Sequence, residues 1–115
     1  MQPRAPRYRF GSLNFIYDTG ESFWAAPVLD VSESGVFLET AHQLDVGTQV
    51  TLVPDVADDE KLPFELTAQV VRVNEFDTEE NFKRPPGIAF RLLNLTAAQS
   101  AELRTFLHER GVLVR

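Results

Sequence analysis

The sequence predicts an all-β fold, six antiparallel strands closed as a barrel or stacked as a sandwich, followed by one C-terminal α-helix. Three observations carry this. The apolar runs are short, rich in β-branched and aromatic residues, and broken by turn residues about every ten positions, which is the pattern of antiparallel sheet rather than of helix. Residues 64–70 alternate: Phe64, Leu66, Ala68 and Val70 share one parity while Glu65, Thr67 and Gln69 share the other, giving a buried and a solvated face. Past Leu93 the period lengthens, and Leu103, Phe106 and Leu107 form a helical stripe.

Taken in order, strands are expected over 9–17, 23–31, 35–40, 48–54, 64–74 and 87–93. The segment Asp18-Thr19-Gly20-Glu21 supplies turn chemistry for a first hairpin, and Asp45-Val46-Gly47 a second bend, since glycine takes positive φ at little steric cost. Phe15, Tyr17, Phe23 and Trp24 lie in short strands and are read as core rather than as ligand contacts. The helix spans 96–110. Thr96 and Gln99 have the spacing of a capping box, Arg110 suits the C-terminal dipole, Gly111 can close the helix, and the apolar stripe packs on a barrel mouth. Residues 1–9 form a flexible arginine-containing arm, and 10–115 the barrel domain with its helix.

A length of 115 residues bounds the chain to one domain. No apolar run approaches the roughly 20 residues a membrane span needs, the first residues lack the apolar stretch of a signal peptide, and there is no cysteine. These features point to a cytoplasmic protein without membrane insertion. A net charge of -6 and a pI near 4.8 argue against DNA or RNA as a partner, because such binding rests on clustered cations. His42 and His108 have no cysteine to complete a zinc set. Asp55, Asp58, Asp59 and Glu60 lack the spacing and glycine of an EF-hand, so they read as a solvated loop and no metal is expected. No nucleophile elbow or phosphate-binding P-loop is present, and the chain is not expected to be an enzyme.

Charge distribution is more informative than net charge. The first nine residues hold Arg4, Arg7 and Arg9, three of eleven basic side chains, and none follows until Lys61, whereas ten of seventeen acids fall between those points. About twenty residues after this cationic arm comes Asp30-Val31-Ser32-Glu33-Ser34-Gly35. Planar multidentate guanidinium donors beside a Ser-Gly turn suit a small nucleotide anion.

This constellation resembles the PilZ domain family, small bacterial six-stranded split barrels that bind cyclic diguanylate. The family joins an RxxxR element before the first strand to a D/NxSxxG element at the end of the second. Asp30, Ser32 and Gly35 fill the latter, and Gly87-Ile88-Ala89-Phe90 followed by a helix matches the family's last strand. The arginine element departs from the pattern: with Arg7 as its second arginine, Pro3 stands where the first belongs and Arg4 falls one place late.

The resemblance implies a contact from Arg7 to phosphate or the guanine Hoogsteen edge. Asp30 would accept guanine N–H groups or fix an arginine, Ser32 would hydrogen-bond at the loop, and Gly35 would supply the turn conformation. Arg4 and Arg9 are possible additional contacts. The ligand is cyclic diguanylate, with no resident cofactor. The implied function is a receptor or adaptor whose arm orders over the barrel when ligand binds. With six residues before Arg7 and five after Arg110, its response should pass through an unidentified effector protein. Pro3 sets an alternative beside this, a degenerate PilZ-like adaptor that binds a protein partner without nucleotide.

Overall fold

The computed structural model of the chain describes residues 6–57, 60, 62–75 and 85–114. Eight strands and one helix follow in the order β1 (Tyr8–Arg9), β2 (Asn14–Asp18), β3 (Phe23–Val31), β4 (Gly35–Glu39), β5 (Gln49–Pro54), β6 (Leu66–Asn74), β7 (Gly87–Leu93), α1 (Ala97–Arg110) and β8 (Val112–Leu113). All pairings are antiparallel. The six longer strands run β2-β5-β6-β7-β4-β3, and β2 also pairs with β3, so they close into a barrel; β1 and β8 extend the sheet beyond β3.

The expected strand over 9–17 is in fact two strands. Phe10 leaves the ladder to pack against Phe106, with ring centroids 6.1 Å apart, and the chain bends at Gly11-Ser12 before β2 begins. The strand expected from Phe64 starts at Leu66; Leu66, Ala68 and Val70 then face inward as their parity requires. The hairpin glycine Gly20 and the bend glycine Gly47 both take positive φ, 94° and 97°, a conformation that costs other residues dearly.

Inside the barrel, Phe15, Tyr17, Leu38, Leu52, Leu66, Ile88 and Phe90 are buried together. Of the aromatics expected in the core, Trp24 is half-buried against it, while Phe23 is 71% exposed because it opens β3 beside the hairpin turn. Leu103, Phe106 and Leu107 of α1 belong to the same cluster, so the helix seals the barrel rather than standing apart. Its first turn carries the capping box: Gln99 N–H donates to Thr96 Oγ1 and Thr96 N–H to Gln99 Oε1, each at 3.1 Å. At the other end Gly111 N–H donates to Leu107 O at 2.9 Å, but Gly111 is extended rather than left-handed, at φ -104°. The chain therefore leaves the helix directly into β8, which lies against β1. Among the described residues no helix is long and apolar enough to cross a membrane.

Candidate functional site

The site begins with two strands that change phase where a charge would otherwise enter the core. In β3, Ala26 and Val28 face inward, so a strict period of two would send Asp30 in after them. A buried carboxylate without a partner is strongly disfavoured. The β3–β4 register shifts at this point: Val28 pairs with Leu38 but Asp30 with Phe37, leaving Leu29 as the extra residue of a bulge. Val31 then becomes the inward residue and Asp30 turns outward. Strand β6 does the same. Val70 pairs with Phe90 but Arg72 with Ala89, Val71 is the extra residue, and Arg72 emerges on the outer face.

These two bulges align a row across four strands. Asp30 lies opposite Phe37, Phe37 opposite Ala89, and Ala89 opposite Arg72. Directly opposed residues share a face of the sheet, so the row is a carboxylate, an aromatic ring, a methyl group and a guanidinium side by side. Phe37 is buried without belonging to the core cluster, as a residue on the outer face under neighbouring side chains would be.

Arg7 completes the carboxylate end. Tyr8 faces inward from β1, paired with Val31 and Leu113, which leaves Arg7 and Arg9 on the outer side. Arg7 donates from Nε to Asp30 Oδ1 at 3.3 Å and from Nη2 to Asp30 Oδ2. The arginine side chain is 49% exposed and the aspartate 14%. Such a two-pronged pair fixes orientation as well as charge. Arg7 is also held by its backbone, since its carbonyl accepts from Val114 N–H at 2.8 Å.

After Asp30 the chain reverses through a tight turn. Ser32 N–H donates to Gly35 O at 2.8 Å, and the nearly buried Ser32 Oγ accepts from the N–H groups of Ser34 and Gly35, each at 3.2 Å. Ser32 therefore shapes the turn from within. Gly35 does not adopt a left-handed conformation; its reason is close approach, because a Cβ there would lie 2.8 Å from Phe90 O. Glu33, in the turn itself, accepts from Arg104 of α1 at 2.9 Å.

Two adjoining recesses of about 220 and 160 Å³ share Arg7, Asp30, Phe37 and Arg72 in their walls. Ser32 and Gly35 line the larger of the pair. A different recess of about 330 Å³ is lined by Asp18, Gln49, Thr51 and Thr67, with no cation among its described lining residues, so an anion is better matched by the Arg7 side.

The structure thus gathers Arg7, Asp30, Ser32 and Gly35 around one opening. Arg9 is exposed two residues further along β1, opposite Val112 and not among the lining residues. Arg4 lies outside the described residues. Of the acidic loop, Asp58 and Asp59 are also outside them, and no group of three or more His, Cys, Asp or Glu poised for a metal occurs among the described residues. Sequence reasoning missed Phe37 and Arg72. The signal for Arg72 was present: it falls on the inward parity of Leu66, Ala68 and Val70, and a strand carrying arginine there must slip phase.

The model of the PilZ domain matches residues 2–109 of the chain. No curated protein matches it in sequence. Among solved structures, the PilZ domain with c-di-GMP of YcgR from Escherichia coli superposes with a TM-score of 0.71 at 18% identity, covering 96% of this chain and 92% of that one. The K. pneumonia MrkH–c-di-GMP complex gives 0.71 at 15% identity, and the Bacillus subtilis inhibitor of motility (MotI/DgrA) 0.65 at 15%. Each of these two is covered over 51% of its length against 95% of this chain, so the chain spans about half of either.

Proposed function

The chain belongs to the PilZ domain family, and on that premise we propose that it is a receptor for cyclic diguanylate that acts on a partner protein. The observation that carries this reading is the convergence of Arg7, Asp30 and the Ser32–Gly35 turn on one recess with Arg72 at its far side. Two of the similar solved structures are c-di-GMP complexes, which supports the same ligand here. Arg7 presents its fork to a phosphate or to the Hoogsteen edge of guanine, geometries that a guanidinium matches with two parallel donors. Asp30 accepts guanine N–H groups, or keeps Arg7 oriented as it does without ligand. Ser32 holds the turn, and Gly35 lets it approach the Phe90 carbonyl closely.

Arg72 supplies what Pro3 does not. The family pattern places two arginines on the arm; here the second guanidinium stands on β6, across Phe37 and Ala89 from Asp30. A strand is a stiffer platform than an arm, so less ordering is needed before the two cations face one anion.

Binding orders the arm ahead of β1, and the altered surface is what an effector reads. Tyr8 and Arg9 are already paired in the sheet, and Arg7 is held by Asp30 and by Val114 N–H, so the change is confined to the residues before Arg7. The degenerate adaptor remains the second reading, favoured by Pro3 alone.

Isothermal titration of the native chain with cyclic diguanylate, with cyclic diadenylate as control, tests the receptor. Saturable heat with the guanine ligand only is expected; silence with both, matched by an orthogonal assay, would leave the adaptor. Limited trypsin digestion tests the arm. Cutting at Arg4 is expected to slow at saturating ligand, and unchanged cleavage would remove arm ordering from the mechanism.

A further inference from the structure

Arg104 and His108 stand one turn apart on α1, and each bonds to a chain neighbour of residues that line the recess: Arg104 to Glu33, between Ser32 and Ser34, and His108 to Tyr8, next to Arg7. Arg104 donates from Nε at 3.2 Å and from Nη2 at 2.9 Å to Oε1 of Glu33, within the Ser32–Gly35 turn. His108 Nε2 lies 3.2 Å from the Tyr8 hydroxyl, with the two rings edge-on at 5.6 Å, and Tyr8 is the covalent neighbour of Arg7. Residues spaced by four share a helix face. The helix behind them is fixed to the barrel by Leu103, Phe106 and Leu107. One rigid element thus grips both the turn and the strand from which the arm extends.

The Arg104 grip is not mainly a source of stability. The Arg104 side chain is 56% exposed and that of Glu33 27%, and an ion pair so open to water adds little to folding. What it does fix is where Glu33, and with it the turn, sits relative to the helix.

We propose that Arg104 and His108 are positioning residues of the nucleotide site, through which α1 sets the separation between the Arg7 arm and the Ser32 turn. The inference rests on the receptor reading above and extends it to a part of the chain that holds no residue of the arginine or DxSxxG elements. A ligand spanning arm and turn binds best when their separation is preset, because holding the gap open at the right width then costs nothing at the moment of binding. Losing either grip leaves the separation to the single Tyr8–Val31 pairing of the ladder and so loosens it. Losing the second afterwards changes little, since the spacing is already loosened.

That logic gives a test by titration with cyclic diguanylate on the native chain, Arg104→Ala, Tyr8→Phe and the double variant, with melting curves to confirm folding. Each single change is expected to weaken binding about threefold to tenfold. The double should be no weaker than the poorer single, although residues 8 and 104 are not partners in any hydrogen bond or ion pair found. Arg104→Lys should recover part of the loss, since it restores the charge without the fork. Losses that add in the double would mean two separate local contacts and overturn the shared spacing, as would variants that bind like the native chain. If the native chain itself fails to bind, the receptor reading falls and this proposal falls with it.

Discussion

Arg7 and Asp30 occupy one another, so in the proposed site each is the other's placeholder. Replacing Arg7 removes the fork and leaves Asp30, only 14% exposed, as a repulsive carboxylate beside the anion. Arg7→Ala is expected to weaken cyclic diguanylate binding about tenfold to a hundredfold, the usual range for a charge-assisted hydrogen bond. Titration calorimetry would measure it. Gly35 makes a different demand. A Cβ at this position meets Phe90 O at 2.8 Å, and that oxygen belongs to the backbone of β7, where it cannot swing aside. Gly35→Ala should therefore cost about 1–3 kcal/mol of stability by overpacking, read from denaturant unfolding, and should weaken binding as the turn is pushed off the sheet. A Gly35→Ala chain as stable as the native one would show that the turn has slack.

At the scale of elements, the two bulges decide what the outer face can do. Each is a single extra residue, Leu29 in β3 and Val71 in β6, and each turns a charged side chain from core to solvent. Because Arg72 reaches the recess from a paired strand while its side chain stays exposed, Arg72→Ala should leave the unfolding midpoint almost unchanged and weaken ligand binding about tenfold. Equal affinity of the variant and native chains would place the second cation elsewhere. Much of this architecture was legible in advance. Six strands, the two glycine turns and the capped helix follow from periodicity and turn chemistry, and Asp30, Ser32 and Gly35 from a spaced motif. What escaped has physical reasons. Two-residue strands such as β1 and β8 carry no period to detect, and their pairing is decided by where Gly111 sends the chain after the helix. Phe23 reads as core by composition and is exposed by its place at a hairpin end. Phe37 reads as one more apolar strand residue, and only the register with Asp30 and Ala89 puts it beneath the recess.

For the molecule as a whole, alkaline pH bears on the phenol of Tyr17, which is 1% exposed inside the barrel. Burial pushes the Tyr17 hydroxyl, which lies 3.1 Å from His42 Nδ1, up from its ordinary value of 10.0. The folded state therefore holds the proton more tightly than the unfolded chain. Its contribution is fully present below the unfolded value and is lost as pH rises from there through the folded one. Denaturant midpoints should fall as pH rises above about 10, and Tyr17→Phe, which keeps the stack on Trp24 at 5.6 Å, should flatten part of that fall. An identical slope in the variant would assign the alkaline loss to other groups. A last consequence follows from the 2.8 Å hydrogen bond between Val114 N–H and the Arg7 carbonyl. The backbone enters and leaves the described fold at one spot, beside the recess. Grafted into a surface loop of a host protein, the barrel would bridge a gap no wider than the roughly 5 Å between neighbouring strands. A signal at the nucleotide would then arise at the seam between guest and host, where a change in the recess is felt first by whatever is joined to it.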